Sequence, residues 1–326
     1  MAHQLTIREN KFAEMAYVGD VAWHGLGQRL EENATIEQWQ VAAGMDWKIN
    51  QSPVQFTTDD MMHIGLMDDK RVLYRSDTKA ALGIVSNRYQ VVQPHDVLEF
   101  FRDLVAGNDF KLHTAGTLFG GARMWALASI GESANIVGRD EVGGYLLLST
   151  SADGTLATEA RFTTVRVVCN NTLSMALKAK DNNIVRLSHK TKFDGQGMKD
   201  KLGIATGQFA QFIGAAKALS NVTMQDNKAK EFLQSLLFKP EIIEIEDQST
   251  QVKNKIADIL SLYQGRGMGS DMPGVRGTAW GLVNAVTEWE DHHNKARTAD
   301  AKLDSAFFGK GDEIKSAAMF KALELV

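Results

Sequence analysis

The sequence predicts an α+β protein: an antiparallel-sheet-rich N-terminal half with packed helices, followed by a mainly helical C-terminal half. Three observations carry this. Between Trp47 and Cys169 the chain repeats short β-branched or apolar runs separated by Gly-Gly and Asp-Gly turn signals, the pattern of antiparallel hairpins. Helices interrupt these runs without the regular strand–helix alternation of a doubly wound sheet. Beyond about residue 200, apolar residues recur at three-to-four spacing instead. The division expected is an N-terminal arm (1–34), an α+β core (35–200) and a mainly helical region (201–326).

In chain order, residues 1–34 read as an irregular arm whose one notable piece is a turn at Trp23-His24-Gly25-Leu26-Gly27. Thr35 caps a short helix ended by Gly44. Strands follow at 47–56, 71–74 and 81–85. Pro94 opens a helix over 96–106 whose Val97, Leu98, Phe101, Leu104 and Val105 share a face. Further strands fall at 110–116, 122–130, 144–151 and 158–169, with turns at Gly120-Gly121 and Asp153-Gly154. Asn170, Asn171 and Thr172 then break the apolar run and read as the cap of a helix through Leu177. The second half reads as helices at 203–219, 228–237, 252–263 and 278–292. A turn-rich stretch, Gly265–Gly277, precedes the last of these. From Ala299 the tail reads as a loop and a final helix over 312–325.

Composition bounds the function. The chain has 326 residues, 44% hydrophobic and 23% charged, enough for one large or two modest domains. No apolar run approaches the roughly 18 to 20 residues that span a bilayer, and the N-terminus has no apolar signal core, so a cytoplasmic protein without membrane attachment is expected. The single cysteine, Cys169, rules out an intrachain disulfide framework; ending an apolar strand, it reads as a small buried hydrophobe.

A net charge of −4 argues against indiscriminate nucleic-acid binding, but the charge is unevenly spread. Residues 161–201 carry nine Lys/Arg against three Asp, whereas 241–291 carry nine Asp/Glu against four Lys/Arg. Arg161 and Arg166 stand within an otherwise apolar strand. Each needs a partner there, either an internal carboxylate or an anionic ligand. Downstream come Lys178, Lys180, Arg186, His189, Lys190 and Lys192. Such a surface suits phosphate contacts; a solvated face with a charged loop is the plainer reading of the same residues.

Other candidate chemistry is thin. The stretch Gly265–Gly277 lacks the Gly-Lys-Ser/Thr ending of a phosphate-binding loop and reads as a connection, with Arg266 and Arg276 open to an anion. Glu288, Asp291, His292 and His293 lie close in sequence, yet no second cluster completes a metal site. No metal, cofactor or catalytic residue is expected, and the protein reads as a non-enzyme.

Three stretches together resemble one family, the phage/plasmid-like proteins of the domain-of-unknown-function 932 family. They are Ala22-Trp23-His24-Gly25-Leu26-Gly27, the run from Thr164 to Leu173 (TVRVVCNNTL), and the run from Gly277 to Glu288 (GTAWGLVNAVTE). The resemblance implies an origin in a phage, prophage or plasmid. In outline, the strand-rich half with its basic segment is also similar to the single-strand annealing proteins of the RecT, Red-beta and Erf kinds. That likeness implies an oligomer that binds and anneals single-stranded DNA along a basic groove without hydrolysing nucleotide.

The expectation is therefore a non-enzymatic, homo-oligomeric protein of phage or plasmid recombination. It binds single-stranded DNA through Arg161, Arg166, Lys178, Lys180, Arg186, Lys190 and Lys192, and a phage or host recombination or defence protein is a further partner. The alternative is a mobile-element factor that acts against host defence by binding a protein, without nucleic acid. There the acidic run from Lys239 (KPEIIEIEDQ) would imitate a polyanion.

Overall fold

The computed structural model describes residues 13–19, 27–107, 110–168, 171–175, 184–202, 207–238 and 248–326. Antiparallel strands dominate the N-terminal half and helices the C-terminal half, an α+β fold. The strands are β1 (Met15–Val18), β2 (Gln28–Leu30), β3 (Ile49–Thr57), β4 (Ile64–Arg75), β5 (Ala81–Ser86), β6 (Lys111–Leu118), β7 (Arg123–Asn135), β8 (Glu141–Ser151), β9 (Thr158–Arg166), β10 (Asn171–Ser174) and β11 (Ile184–Leu187). The helices are α1 (Ile36–Ala42), α2 (Pro94–Gly107), α3 (Gly195–Leu202), α4 (Gln208–Ser220), α5 (Asp226–Leu237), α6 (Thr250–Ser261), α7 (Ala279–Glu288), α8 (Ala299–Phe307) and α9 (Lys310–Leu323).

The chain forms two compact units, neither of them continuous in sequence. The first comprises residues 1–131, 145–161 and 184–204; the second comprises 132–144, 162–183 and 205–326. Strands β7, β8 and β9 contribute residues to both.

In the first unit the strand order is β2-β1-β6-β7-β8-β9, with β11 antiparallel to β9. Gly120 and Gly121 turn β6 into β7, both at positive φ. A side chain at Gly121 would strike the Trp47 ring at 2.5 Å, so only glycine fits. β3, β4 and β5 form a separate antiparallel sheet. Thr35 and Gln38 cap α1 reciprocally: the Gln38 amide donates to the Thr35 hydroxyl (3.3 Å) and the Thr35 amide to the Gln38 side chain (2.8 Å). Trp39, Leu73, Leu98, Phe101 and Trp125 are core residues.

A buried ionic knot holds this unit. Arg75 donates from both terminal nitrogens to Glu14 (2.9 and 2.7 Å), and from Nε and Nη2 to Asp77 (3.0 and 2.8 Å). The Thr117 hydroxyl donates to Glu14 at 2.6 Å, and the Arg75 guanidinium stacks 4.1 Å over Trp47. A bidentate, stacked arginine suits this place because its planar fork satisfies both carboxylates at once. The Arg75 hydrogen bond holds the Asp77 carboxyl down at about 2.

In the second unit, α7 is buried along its whole length, and its Trp280 meets Phe212 of α4 edge to face at 6.3 Å. Gly281 is required here: a Cβ at that position would lie 1.9 Å from the carbonyl oxygen of Val275. Val275 belongs to the Gly-rich stretch that α7 follows, so the two pack backbone to backbone.

Most elements fall where sequence patterning predicts; β1, β2, β4, β10 and α8 differ, and β11 and α3 lie in a stretch for which the patterning predicts no element. Residues 15–18 and 28–30, inside the expected irregular arm, are strands. β1 is only four residues long and contains no alternation to read, but it pairs with β6 and is buried. β4 begins at Ile64, well before the predicted strand. The expected helix after Asn170 is instead strand β10, since residues 171–174 pair with 163–166 of β9. The expected loop after Ala299 is helix α8, capped by Thr298, whose hydroxyl accepts from the Ala301 amide at 3.1 Å. Outside the described residues lie the turn at Trp23–Leu26, Cys169 and Asn170, Lys178 and Lys180, the start of the helix predicted from Gly203, and the acidic segment 239–247.

Candidate nucleic-acid interface

β9 positions both strand arginines. Every residue of this strand is buried, which β-branched and apolar composition favours but which leaves Arg161 and Arg166 to be neutralised internally. Arg161 and Glu159 are two apart and therefore on one face of the strand. The Arg161 Nε lies 3.7 Å from the Glu159 carboxylate. Arg186, the cross-strand partner of Glu159 on β11, donates to the same carboxylate at 2.6 Å. One buried acid thus stands beside two arginines. Of these, Arg186 has a side chain 66% exposed, while Arg161 is buried.

Beyond β11 the turn carries His189, Lys190 and Lys192. His189 is buried, stacked on Tyr89 with centroids 4.3 Å apart, and its ring nitrogens lie 3.0 Å from the Gln90 carbonyl and 3.2 Å from that of Leu156. It belongs to the frame. Burial pushes the Tyr89 hydroxyl up to about 12, and that hydroxyl donates to the Ser151 carbonyl at 2.8 Å. Lys190 and Lys192 are exposed, and neither has a carboxylate partner among the described residues. The nearby Asp194 accepts from the Gly197 amide at the start of α3 (2.9 Å).

Arg166, in the second unit, is used up internally. Its Nε donates to Asp140 at 2.5 Å, and its terminal nitrogens reach the carbonyls of Met268 (3.2 Å) and Gly269 (3.3 Å). The other Asp140 oxygen accepts from the Trp280 indole at 2.8 Å. Arg166 is therefore corrected from a groove residue to a structural one, and so is the buried Arg161. Of the seven predicted residues, the described part of the chain leaves Arg186, Lys190 and Lys192 at the surface of one unit. The remaining two, Lys178 and Lys180, lie outside it.

The acidic and histidine residues at the end of α7 and just beyond it are equally engaged. Glu288 accepts from the Met268 amide at 2.8 Å, which ties down the Gly-rich stretch. Asp291 accepts from the Lys315 ammonium (2.6 Å) and the Thr172 amide (2.7 Å), while His292 contacts the Asn171 side chain at 2.9 Å. Asn171 and Thr172 thus serve as docking points for the segment that follows α7. Glu290 pairs with Lys255, which also stacks 4.2 Å over Trp289; burial pushes the Glu290 carboxyl up against the pull of that lysine. Among the described residues, no three His, Cys, Asp or Glu side chains converge as metal ligands.

Sequence reasoning missed Asp140, Glu159, Lys255 and Lys315, the partners that decide these environments. Only Glu159 left a signal, its two-residue spacing from Arg161.

The fold and its internal ion pairs define an α+β protein with strand-borne arginines locked inside and a short cationic edge. The family model described as "Domain of unknown function (DUF932)" matches residues 81–307, more than half of the chain, and the chain belongs to that family. No curated protein and no solved structure matches it. Among the described residues, no helix is long and apolar enough to cross a membrane.

Proposed function

We propose that the chain is a non-enzymatic protein of phage or plasmid recombination that binds single-stranded DNA through its phosphates, acting in the cytoplasm as an oligomer. One observation carries this reading: within residues 184–192, Arg186, Lys190 and Lys192 all present their charge at the surface of one unit. Glu159 stands beside both Arg161 and Arg186, and Lys190 and Lys192 project without carboxylate partners. Exposed cations of this kind gain affinity for a polyanion by releasing its counterions. Lys178 and Lys180, which precede them in the chain, are included in the proposed contact set. Arg161 and Arg166 act indirectly, by holding β9 in place.

The test is fluorescence anisotropy with a labelled single-stranded oligonucleotide across a salt series. Binding that is tight at low salt and weakens steeply as salt rises supports the proposal. Charge reversal at Lys178, Lys180 and Lys190 together is expected to reduce affinity at low salt by at least about a hundredfold. No binding at low salt, or binding indifferent to these reversals, sinks it and leaves a protein partner as the target to pursue.

A further inference from the structure

The sheet β3-β4-β5 extends into an arm that no other described strand or helix of its own unit pairs with. β5 pairs with β4 only over residues 70–74, so among the described residues the ribbon of 54–57 against 64–67 has two strands and no third. Isolated two-stranded ribbons are marginally stable in water, and an apolar one gains by being covered. This ribbon exposes Phe56, Ile64, Leu66 and Met67.

Its tip is built rather than loose. The Thr58 amide donates to the His63 carbonyl (3.1 Å) and the Met61 amide to that of Thr58 (2.8 Å). The Asp60 carboxylate accepts from the Met62 amide at 3.0 Å. Met61 sits at φ 57, a left-handed conformation that costs a non-glycine residue energy. The result presents Met61 and Met62 to solvent, 84% and 81% exposed. Methionine there supplies adaptable apolar contact. Asp59, Asp60, Asp68 and Asp69 are also exposed on the arm, with Lys70 beside Asp69 at 3.8 Å. This acidity repels phosphodiesters and anionic lipid, and favours a basic, apolar protein surface.

The second unit has such a surface. Val167, Val168 and Met268 are exposed, at the end of β9 and on the Gly-rich stretch. They are neighbours: Arg166 bonds the Met268 carbonyl, and a Cβ on Gly269 would lie 3.0 Å from Val168. Arg139, Arg266 and Arg276 are exposed on the same stretch and on the β7–β8 turn, whose Val137 packs against Gly274. None of the three has a carboxylate partner among the described residues, and Asp271 is the exposed acid of that stretch.

We propose that the arm of one copy docks on this basic apolar surface of a second copy. The contact joins two different patches, so it is head-to-tail and propagates to a ring or a filament. It rests on the oligomeric part of the proposed function and not on DNA binding, and it is tested without DNA.

The full-length chain is examined by sedimentation velocity and light scattering. The arm variant carries Met62→Asp and Ile64→Asp; the surface variant carries Val168→Asp and Arg266→Glu. All four positions are exposed, and far-UV circular dichroism confirms the fold of each variant. The wild type is expected to oligomerise. Each substitution is expected to weaken association at least about tenfold, leaving either variant monomeric. Mixed in equal amounts, the two variants retain one working arm and one working surface, and form a dimer that grows no further. A monomeric wild type, oligomers that survive the arm substitutions, or folded variants that fail to pair when mixed would each overturn the proposal.

Discussion

Arg166 donates to Asp140 at 2.5 Å, and their side chains are 4% and 0% exposed. The same carboxylate takes the Trp280 indole proton, so one acid joins strand β9, the β7–β8 turn and helix α7 within the second unit. Taking one partner from a buried pair leaves the other charged and unsolvated. Asp140→Ala is therefore expected to destabilise the protein by about 3–5 kcal/mol. Combining it with Arg166→Met should cost less than the two single losses added together, a coupling that denaturant unfolding of the four proteins measures.

Gly281→Ala tests the backbone contact beneath α7. The added methyl group meets the Val275 carbonyl at 1.9 Å, with backbone on both sides. The expected loss is about 3 kcal/mol, read as a lower unfolding midpoint. Ala285→Gly, one turn further along the same helix, removes a methyl group instead and is expected to cost about 1 kcal/mol.

The ionic knot of the first unit gives a pH dependence. Arg75 depresses the folded-state Asp77 carboxyl from its ordinary 3.8 to about 2. Its contribution to stability is thus present above 3.8 and is lost as pH falls from there through about 2. Asp77 is about one-third exposed, and solvent screening limits the effect to roughly 1 kcal/mol or less. Asp77→Asn is expected to flatten the acid limb of a stability–pH curve over that window.

The proposed DNA contacts separate from the structural arginines by their salt response. Lys190→Ala and Lys192→Ala are each expected to reduce the logarithmic salt slope for single-stranded DNA by about 0.7. Arg166→Met lowers stability and leaves the slope of the remaining folded protein unchanged. A slope that moves with Arg166 and ignores both lysines would contradict the assignment.

Much of the fold was legible locally. The Thr35 cap, the apolar face of α2, the two glycine turns and the spacing of α4 to α7 each announce an element without reference to anything distant. Strand β10 was not legible, because Asn171 and Thr172 are good helix caps in isolation. Pairing with β9, and the bond from the Thr172 amide to Asp291, override that preference. The candidate site divides the same way. The cationic run from Lys178 to Lys192 is plain in the sequence. That Arg166 faces Asp140, 26 residues before it, has no local signature.

By itself, then, the sequence determined the α+β class, most helices and strands, the family and the uneven charge. These follow from short-range periodicity, turn chemistry and motif identity. The tertiary structure alone decided which charges meet solvent. Arg161 and Arg186 lean on one glutamate, but only Arg186 reaches the surface. Burial and ion pairing depend on strands and helices brought together from distant parts of the chain, and the cost of leaving a charge unpaired inside selects their partners.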